Sequence, residues 1–353
     1  AMAHLVYPGA VHTRLHHSLG AYHLMRCALQ ELTSKGIEIT AEEQQAAKIA
    51  ILLHDIGHGP FSHALEHVLA EGLHHEELSL MLIKELNKQF NGKLQMALDI
   101  FTDQYSKKFL HQLVSGQLDV DRMDYLSRDS FFTGVNEGTI AYDRILKMLT
   151  VHHGELMVEE KGIYSIEKFL VARRLMYWQV YLHKTVLSAE QMLVRIIKRA
   201  KLIKAQCQEQ LNNFINKPIE TVTLEEFCSI DDYDVLMAIK KWAKHDDKVL
   251  SVLCKGILDR QLLKVKYFNE PVGNCLVEEK INEVCEKTGL SAEDAKWLAF
   301  GGEAASSTYN FENDHIHILF KDGSVKDISE VDNALINENL RGTVKKYYIC
   351  YLR

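Results

Sequence analysis

Proline is scarce, with four in 353 residues, and since proline ends helices its rarity leaves room for long ones. The seven cysteines (Cys27, Cys207, Cys228, Cys254, Cys275, Cys285, Cys350) never fall into a C-x-x-C spacing. An odd, scattered set excludes a disulfide framework and a thiolate zinc site, and fits a reducing, cytoplasmic setting. Long apolar runs are missing as well. The densest, Ile49-Ala50-Ile51-Leu52-Leu53, is far short of the roughly 20 residues of a membrane span. Mean hydropathy is -0.14, and no basic segment leading into an apolar one opens the chain, so neither a membrane nor a secretory signal is expected. Basic charge is in deficit: 41 Lys and Arg against 48 Asp and Glu give a formal charge of -7. That disfavours a nucleic-acid-coating role, and no stable nucleic-acid partner is expected. A local basic pocket for a small anion is compatible with it.

What the chain does have is an ordinary globular balance, 47% hydrophobic and 25% charged, on a length that suits one large domain or two. It also has histidine in one place. Of 18 histidines, 11 lie within residues 1–80, where an even spread would put about 4. Imidazole is the commonest metal ligand and the side chain whose proton moves near neutral pH, so clustering of this kind points to chemistry.

Residues 1–6 are apolar and run straight into Tyr7-Pro8-Gly9, so further residues of the same domain are expected upstream. Helical patterning begins near Thr13 and continues to Leu32, with Leu15, Leu19, Leu24 and Leu29 among its apolar positions. Thr40-x-x-Glu43 reads as a capping box opening a second helix that ends at Leu53. Gly57-His58-Gly59-Pro60 breaks the pattern, residues 62–69 resume it, and 75–90 form a third amphipathic stretch. Helices are expected at 106–115, 121–129 and 139–149, then a hairpin over 151–166 with Gly154 and Gly162, a long helix from about Glu167 into the 190s, and more helices over 200–260. A linker-like cluster at 269–274 precedes expected helices at 277–287, 291–299 and 331–340, alternation at 316–320, a turn at Asp322-Gly323, and a last strand from Lys345 to Tyr351. The expected fold is mainly α: a helical domain over 1–268 and a small α/β lobe over 269–353. The final strand is apolar enough to need a partner within the chain or across subunits.

His54-Asp55 closes the second helix, where Gly57 lets the backbone turn so that adjacent side chains can converge. His17 lies 37 residues before His54, and Asp121 lies 66 residues after Asp55, each on another expected helix. Two imidazoles and two carboxylates make a mixed N/O donor set suited to a divalent ion, with Fe, Mn, Mg, Zn and Ni all admissible.

A bare His-Asp pair carries little information, but the extended strings carry a great deal. Arg14-x-x-His17-Ser18-Leu19-Gly20, then His54-Asp55-Ile56-Gly57-His58-Gly59-Pro60-Phe61-Ser62-His63, then Asp119-Val120-Asp121-Arg122-Met123-Asp124-Tyr125 resemble the HD-domain metallophosphohydrolases. Within that superfamily the similarity is to the deoxynucleoside triphosphate triphosphohydrolases, strong over residues 7–190 and loose over 230–265. The resemblance implies that His17, His54, Asp55 and Asp121 hold the metal. It implies that a metal-activated water attacks the α-phosphorus, releasing deoxynucleoside and triphosphate. An alkoxide is a poor leaving group, so a positioned acid is needed, and His58, His63 and His75 would face the same pocket. The acid is expected to be His63 or His75, with Glu66 orienting His75; relatives usually carry aspartate at the position of Glu66.

Phosphate and sugar contacts are implied for Arg14, Arg122 and Arg173, with Arg122 standing where lysine is common in relatives and offering a planar fork instead of a point donor. Lys184, in Tyr181-Leu182-His183-Lys184, would border the nucleoside. Tyr125 and Asp129, four apart on one helix face, would close over the deoxyribose, and Tyr181 would complete a wall with no room for a 2′ hydroxyl. Arg260-x-x-x-Lys264 resembles a regulatory nucleotide pair of activated relatives, although a charged helix end explains it more simply. The implied partners are a dNTP substrate and further copies of the chain, as a dimer or tetramer. Two alternatives keep the same ligands: another nucleotide or phosphate ester as substrate, or a nucleotide sensor without turnover.

Overall fold

A computed structural model describes residues 2–69, 72, 74–216, 222–306, 315–331 and 344–353. In chain order its elements begin with α1 (Arg14–Ser34), α2 (Ala41–Leu53), α3 (Glu66–Leu69), α4 (His75–Gln89), α5 (Gln95–Phe101), α6 (Lys108–Val114), α7 (Val120–Thr133) and α8 (Tyr142–Met148). The hairpin β1 (Leu149–His152) and β2 (Glu155–Glu159) precedes α9 (Ile163–Met176), α10 (Lys184–Ile203), α11 (Glu209–Asn216), α12 (Leu224–Cys228), α13 (Asp232–Trp242) and α14 (Lys248–Leu258). Then come β3 (Lys264–Phe268), α15 (Asn274–Thr288), α16 (Ala292–Ala295), β4 (Ala299–Ser306), β5 (His317–Leu319), β6 (Val325–Asp327) and β7 (Val344–Tyr351). The fold is mainly α with a strand-containing C-terminal lobe. No described helix is long and apolar enough to cross a membrane.

The first two helices show how local sequence sets the frame. Thr40 accepts from Glu43 N at 3.2 Å, and Glu43 Oε2 accepts from Thr40 N at 2.8 Å, which fixes the start of α2 by closing both ends of a capping box. α1 buries Ala21, Leu24, Met25, Ala28, Leu29 and Leu32, worth roughly 1.5–3 kcal/mol for each large apolar side chain withdrawn from water. Leu15 and Leu19, expected among its apolar positions, are instead exposed, because the first turns of the helix turn their other face, with His17, inward.

Three further expectations are corrected. The hairpin stops at Glu159, and Gly162 caps α9 instead of turning a strand; the position is tight, as a Cβ there would lie 2.5 Å from Val158 and 2.9 Å from Met148. The long helix from 167 onward is interrupted by a π-helical turn at Tyr177–Tyr181, after which Leu182 and His183 leave helical geometry and α10 starts afresh. The helix expected at 291–299 covers only Ala292–Ala295, and Ala299 opens β4. The helix expected at 331–340 lies outside the described residues apart from Val331, which is not helical.

Two sheets result. One has the order β1-β2-β5-β6, with β5 parallel to β2 through Met157–His317, Val158–Ile318 and Glu159–Leu319. The other has the order β3-β7-β4, so the apolar last strand is covered on both sides within the chain, antiparallel to each neighbour. Two hydrophobic cores divide the molecule. One gathers α1, α2, α5 to α9 and the first sheet. The other joins α10, α11, α13 and α14 to the second sheet and also takes in Phe61, Leu65, Val68, Leu69 and Leu78. The loop between α2 and α3 therefore passes from one core to the other, and the functional side chains stand where it crosses.

Candidate metal centre and active site

His17 on α1, His54 and Asp55 at the end of α2, and Asp121 in the first turn of α7 converge. His17 Nε2 lies 2.9 Å from Asp121 Oδ1 and 3.9 Å from Asp55 Oδ2. His54 Nε2 lies 3.4 Å from Asp121 Oδ1 and 3.6 Å from Asp55 Oδ1. Their tautomers follow from the other ring nitrogens. His54 Nδ1 donates to the Ile51 carbonyl at 2.6 Å, which leaves Nε2 as the nitrogen turned to the two carboxylates. That Nε2 is buried without a hydrogen-bond partner among the described residues. Burial opposes charge on His54, but Asp121 and Asp55 outweigh it and raise the imidazolium, so the point between them draws positive charge, and the donor set is one that divalent transition ions accept.

His17 Nδ1 donates to Asp124 Oδ2 at 2.8 Å, which aims Nε2 at the same point. Asp124 is itself clamped by Arg128, through Nε at 2.8 Å and Nη2 at 2.9 Å. Such outer carboxylates orient metal-binding imidazoles and raise their basicity. Gly20 makes the approach possible, because a Cβ there would lie 1.9 Å from Asp124 Oδ1. Burial opposes a charged His17, but its bonds to Asp121 and Asp124 outweigh it and lift the imidazolium to about 10. Burial likewise works against ionised Asp55, yet His58, His54 and Arg14 hold it well below the usual carboxylate range.

A second cluster adjoins the first through His58, whose Nε2 is 3.5 Å from Asp55 Oδ1. His58 stacks on His75 with centroids 4.0 Å apart and meets His63 edge-on at 4.5 Å. Burial, with Arg14 and His75 nearby, pushes His58 down to about 4 despite Asp55. Glu66 joins the other two rings, accepting from His75 Nδ1 at 2.7 Å, His75 N at 2.9 Å and His63 Nδ1 at 3.0 Å. Those bonds outweigh burial and hold Glu66 at about 2. The His63 side chain is 69% exposed and that of His75 23%, so both reach the open side of the site. These four side chains also converge closely enough to offer donors to an ion.

Arg14 bridges the clusters, with Nε donating to Ser62 Oγ at 2.7 Å and Nη1 to Asp55 Oδ2. Phe61 and Ser62 are both left-handed, with φ of 54° and 52°, a conformation that costs about 1–3 kcal/mol per non-glycine residue.

Farther along α7, Asp129 accepts from Tyr181 OH at 2.5 Å and from His12 Nε2 at 2.7 Å. Tyr125 meets Tyr181 edge-on at 6.4 Å, and Tyr181 meets Tyr177 at 5.2 Å, so the π-helical turn supplies one side of an aromatic wall. Burial raises both Tyr125 and Tyr181 above the ordinary tyrosine range, and Asp129 adds to the effect on Tyr181. Arg122 bonds Asp119 through Nη1 at 3.4 Å, while its buried Nε has no hydrogen-bond partner among the described residues. Arg173 donates to Gln117 Oε1 at 3.2 Å.

Lys184 follows the π-helical turn as the first residue of α10. It lines a cavity of about 840 Å³ with His183, Arg260, Lys264, Leu352 and Arg353, a lining that includes none of the residues above. Arg260 follows the end of α14 in a left-handed conformation and Lys264 opens β3, so the pair spans a turn between helix and strand. Among the residues given no role from sequence, His12, Asp124 and Arg128 stand out. The Asp124–Arg128 spacing is the helical i, i+4 pairing of opposite charges and was a readable signal.

Donors of this kind on three packed helices define an HD-type metal centre. The HD domain family matches residues 14–129, and the HD associated region matches residues 140–288. The uncharacterized protein YwfO of Bacillus subtilis is 31% identical over 363 residues, covering 96% of this chain and 80% of the relative. A phosphohydrolase structure from Bacteroides thetaiotaomicron has a TM-score of 0.94 at 47% identity, over 99% of this chain and 90% of that one. The deoxynucleoside triphosphate triphosphohydrolase SAMHD1 of Gallus gallus is 24% identical over 382 residues, spanning 94% of this chain and 60% of the relative. The chain belongs to the HD-domain phosphohydrolases.

Proposed function

We propose that the protein hydrolyses deoxynucleoside triphosphates to deoxynucleoside and inorganic triphosphate. The observation that carries this reading is the junction of the two clusters: the converging His17, His54, Asp55 and Asp121 beside imidazoles anchored on one carboxylate. When bound, a divalent ion at His17, His54, Asp55 and Asp121 supplies Lewis-acid polarisation of a phosphoryl oxygen and activation of water. Arg14, whose Nε and Nη1 are engaged by Ser62 and Asp55, turns the remaining edge of its fork to phosphate oxygens. Arg122 brings a buried Nε that an anion would satisfy. His63 or His75 then delivers a proton from Nε2 to the departing 5′ oxygen, while Glu66 holds the Nδ1 proton and so fixes the tautomer. Tyr125, Tyr181 and Asp129 form the sugar wall, and the similarity to SAMHD1 supports a deoxynucleotide there.

Anion-exchange product analysis with each dNTP and with GTP, in Mn²⁺ or Mg²⁺, tests the reading. Deoxynucleoside plus triphosphate is expected, lost in a His54→Ala/Asp55→Ala variant. Orthophosphate or pyrophosphate alone would reject the substrate while keeping an HD phosphohydrolase. No turnover with any single or mixed dNTP would reject the reaction.

A further inference from the structure

Two successive non-glycine residues in left-handed conformation, Phe61 and Ser62, do not hold themselves, because each Cβ crowds its own backbone. Their surroundings must impose the kink, and one contact on it comes from the far half of the chain. Phe61 N donates to Asp232 Oδ1 at 2.7 Å, across 171 residues. Asp232 is the first residue of α13, yet that helix is capped by Asp231, which accepts from Tyr233 N and Asp234 N. The Asp232 carboxylate is thus available to the loop. Phe227 on α12 comes against Gly59, where a Cβ would lie 3.3 Å from the ring, so the segment bearing Asp232 packs along the loop and does not merely touch it at one atom.

Downstream of this contact the geometry is continuous. Ser62 Oγ accepts from Arg14 Nε, Arg14 reaches Asp55, and the short 3-10 turn at Ser62–Ala64 delivers His63 to Glu66.

We propose that Asp232 is a positioning residue of the active site: its carboxylate locks the Phe61–Ser62 kink and thereby aligns Arg14 with Asp55 and His63 with Glu66. The inference rests on the reading of Arg14 and the His63–His75 pair given above. It makes the region after the HD domain match a working part of the site.

The test compares full-length wild type, Asp232→Ala and Asp232→Asn. Asparagine keeps an oxygen that can accept from Phe61 N, and alanine does not. Amide hydrogen exchange over residues 57–65 reads the loop without reference to any substrate. Faster exchange is expected in the alanine variant and wild-type exchange in the asparagine variant, with bound metal unchanged in both. With a dNTP that the wild type cleaves, the alanine variant should lose about 10- to 100-fold in kcat, and the asparagine variant should recover most of it. Unchanged exchange in the alanine variant would overturn the proposal. So would equal impairment of both variants, which would assign the effect to charge, or an altered loop with undiminished turnover. Parallel loss of metal and of cooperative unfolding would also overturn it, making Asp232 a general stability residue. Should the wild type release no triphosphate, the substrate reading fails alone, and the exchange data still decide the role of Asp232.

Discussion

Glu43 and Glu66 each hold separate segments together, and they use opposite kinds of partner. Glu43 accepts from Thr40 N at 2.8 Å, Tyr105 OH at 2.7 Å and Lys107 Nζ at 2.7 Å, tying α2 to the segment before α6. Glu66 accepts from one backbone N–H and two imidazoles. In both cases the bonds outweigh burial and keep the carboxyl below its ordinary range. The difference lies in the protons on the other side. Ammonium and phenol protons stay in place until the pH approaches about 10, and the Glu43 bond pushes Tyr105 further, to about 12. An imidazole that gives its Nδ1 proton to a carboxylate has a second nitrogen, Nε2, that can take up or release another, so the donors of Glu66 can pass a proton on while that bond stays made. A buried glutamate is therefore a rivet or a proton station according to its donors.

Replacing both glutamates is the most direct way to break the comparison. Glu66→Gln should reduce turnover by about 10²- to 10⁴-fold, the range for general acid–base machinery, with metal content and melting temperature near wild type, as measured by steady-state kinetics, elemental analysis and calorimetry. Glu43→Gln should do the reverse: a loss of about 2 kcal/mol in urea unfolding, from a charged hydrogen bond and a lysine left without its partner, with kcat/KM of the folded enzyme unchanged. If the two variants exchanged phenotypes, the distinction would fail.

The smallest effect is in pH. A depressed carboxyl contributes stability that is complete above its unfolded value and disappears as the pH falls towards its folded value. The stability gap between wild type and Glu43→Gln should therefore be widest at neutral pH and narrow below the ordinary carboxylate range. Urea midpoints at pH 7, 5 and 3.5 measure it, and a gap that widened in acid would reverse the sign.

Much of this was legible in the chain itself. Thr40 and Glu43 announced the start of α2, and the extended strings around His17, His54-Asp55 and Asp121, through their resemblance to the HD-domain enzymes, marked four side chains that the structure brings together. Strands β3 and β4 were not, since Lys264–Phe268 and Ala299–Ser306 acquire their strand character from pairing with β7, a contact no local pattern encodes. The π-helical turn at Tyr177–Tyr181 escaped because its residues fit a helix of either kind. Asp232 escaped for the simplest reason: its partner is a backbone N–H, which every residue but proline has.

The parallel pairing of β5 with β2 has a bearing on how this chain can be shortened. Residue 288 closes the HD associated match and ends α15, so it looks like a natural place to cut. A chain cut there would lose both β5 and β7. Met157–Glu159 would be left as a bare strand edge, and β3 would have nothing to pair with. Exposed edges of this kind recruit strands from other molecules. A truncated product would therefore be prone to self-association in proportion to its concentration, because β5 and β7 cover, within the same chain, strand edges that stand before the cut.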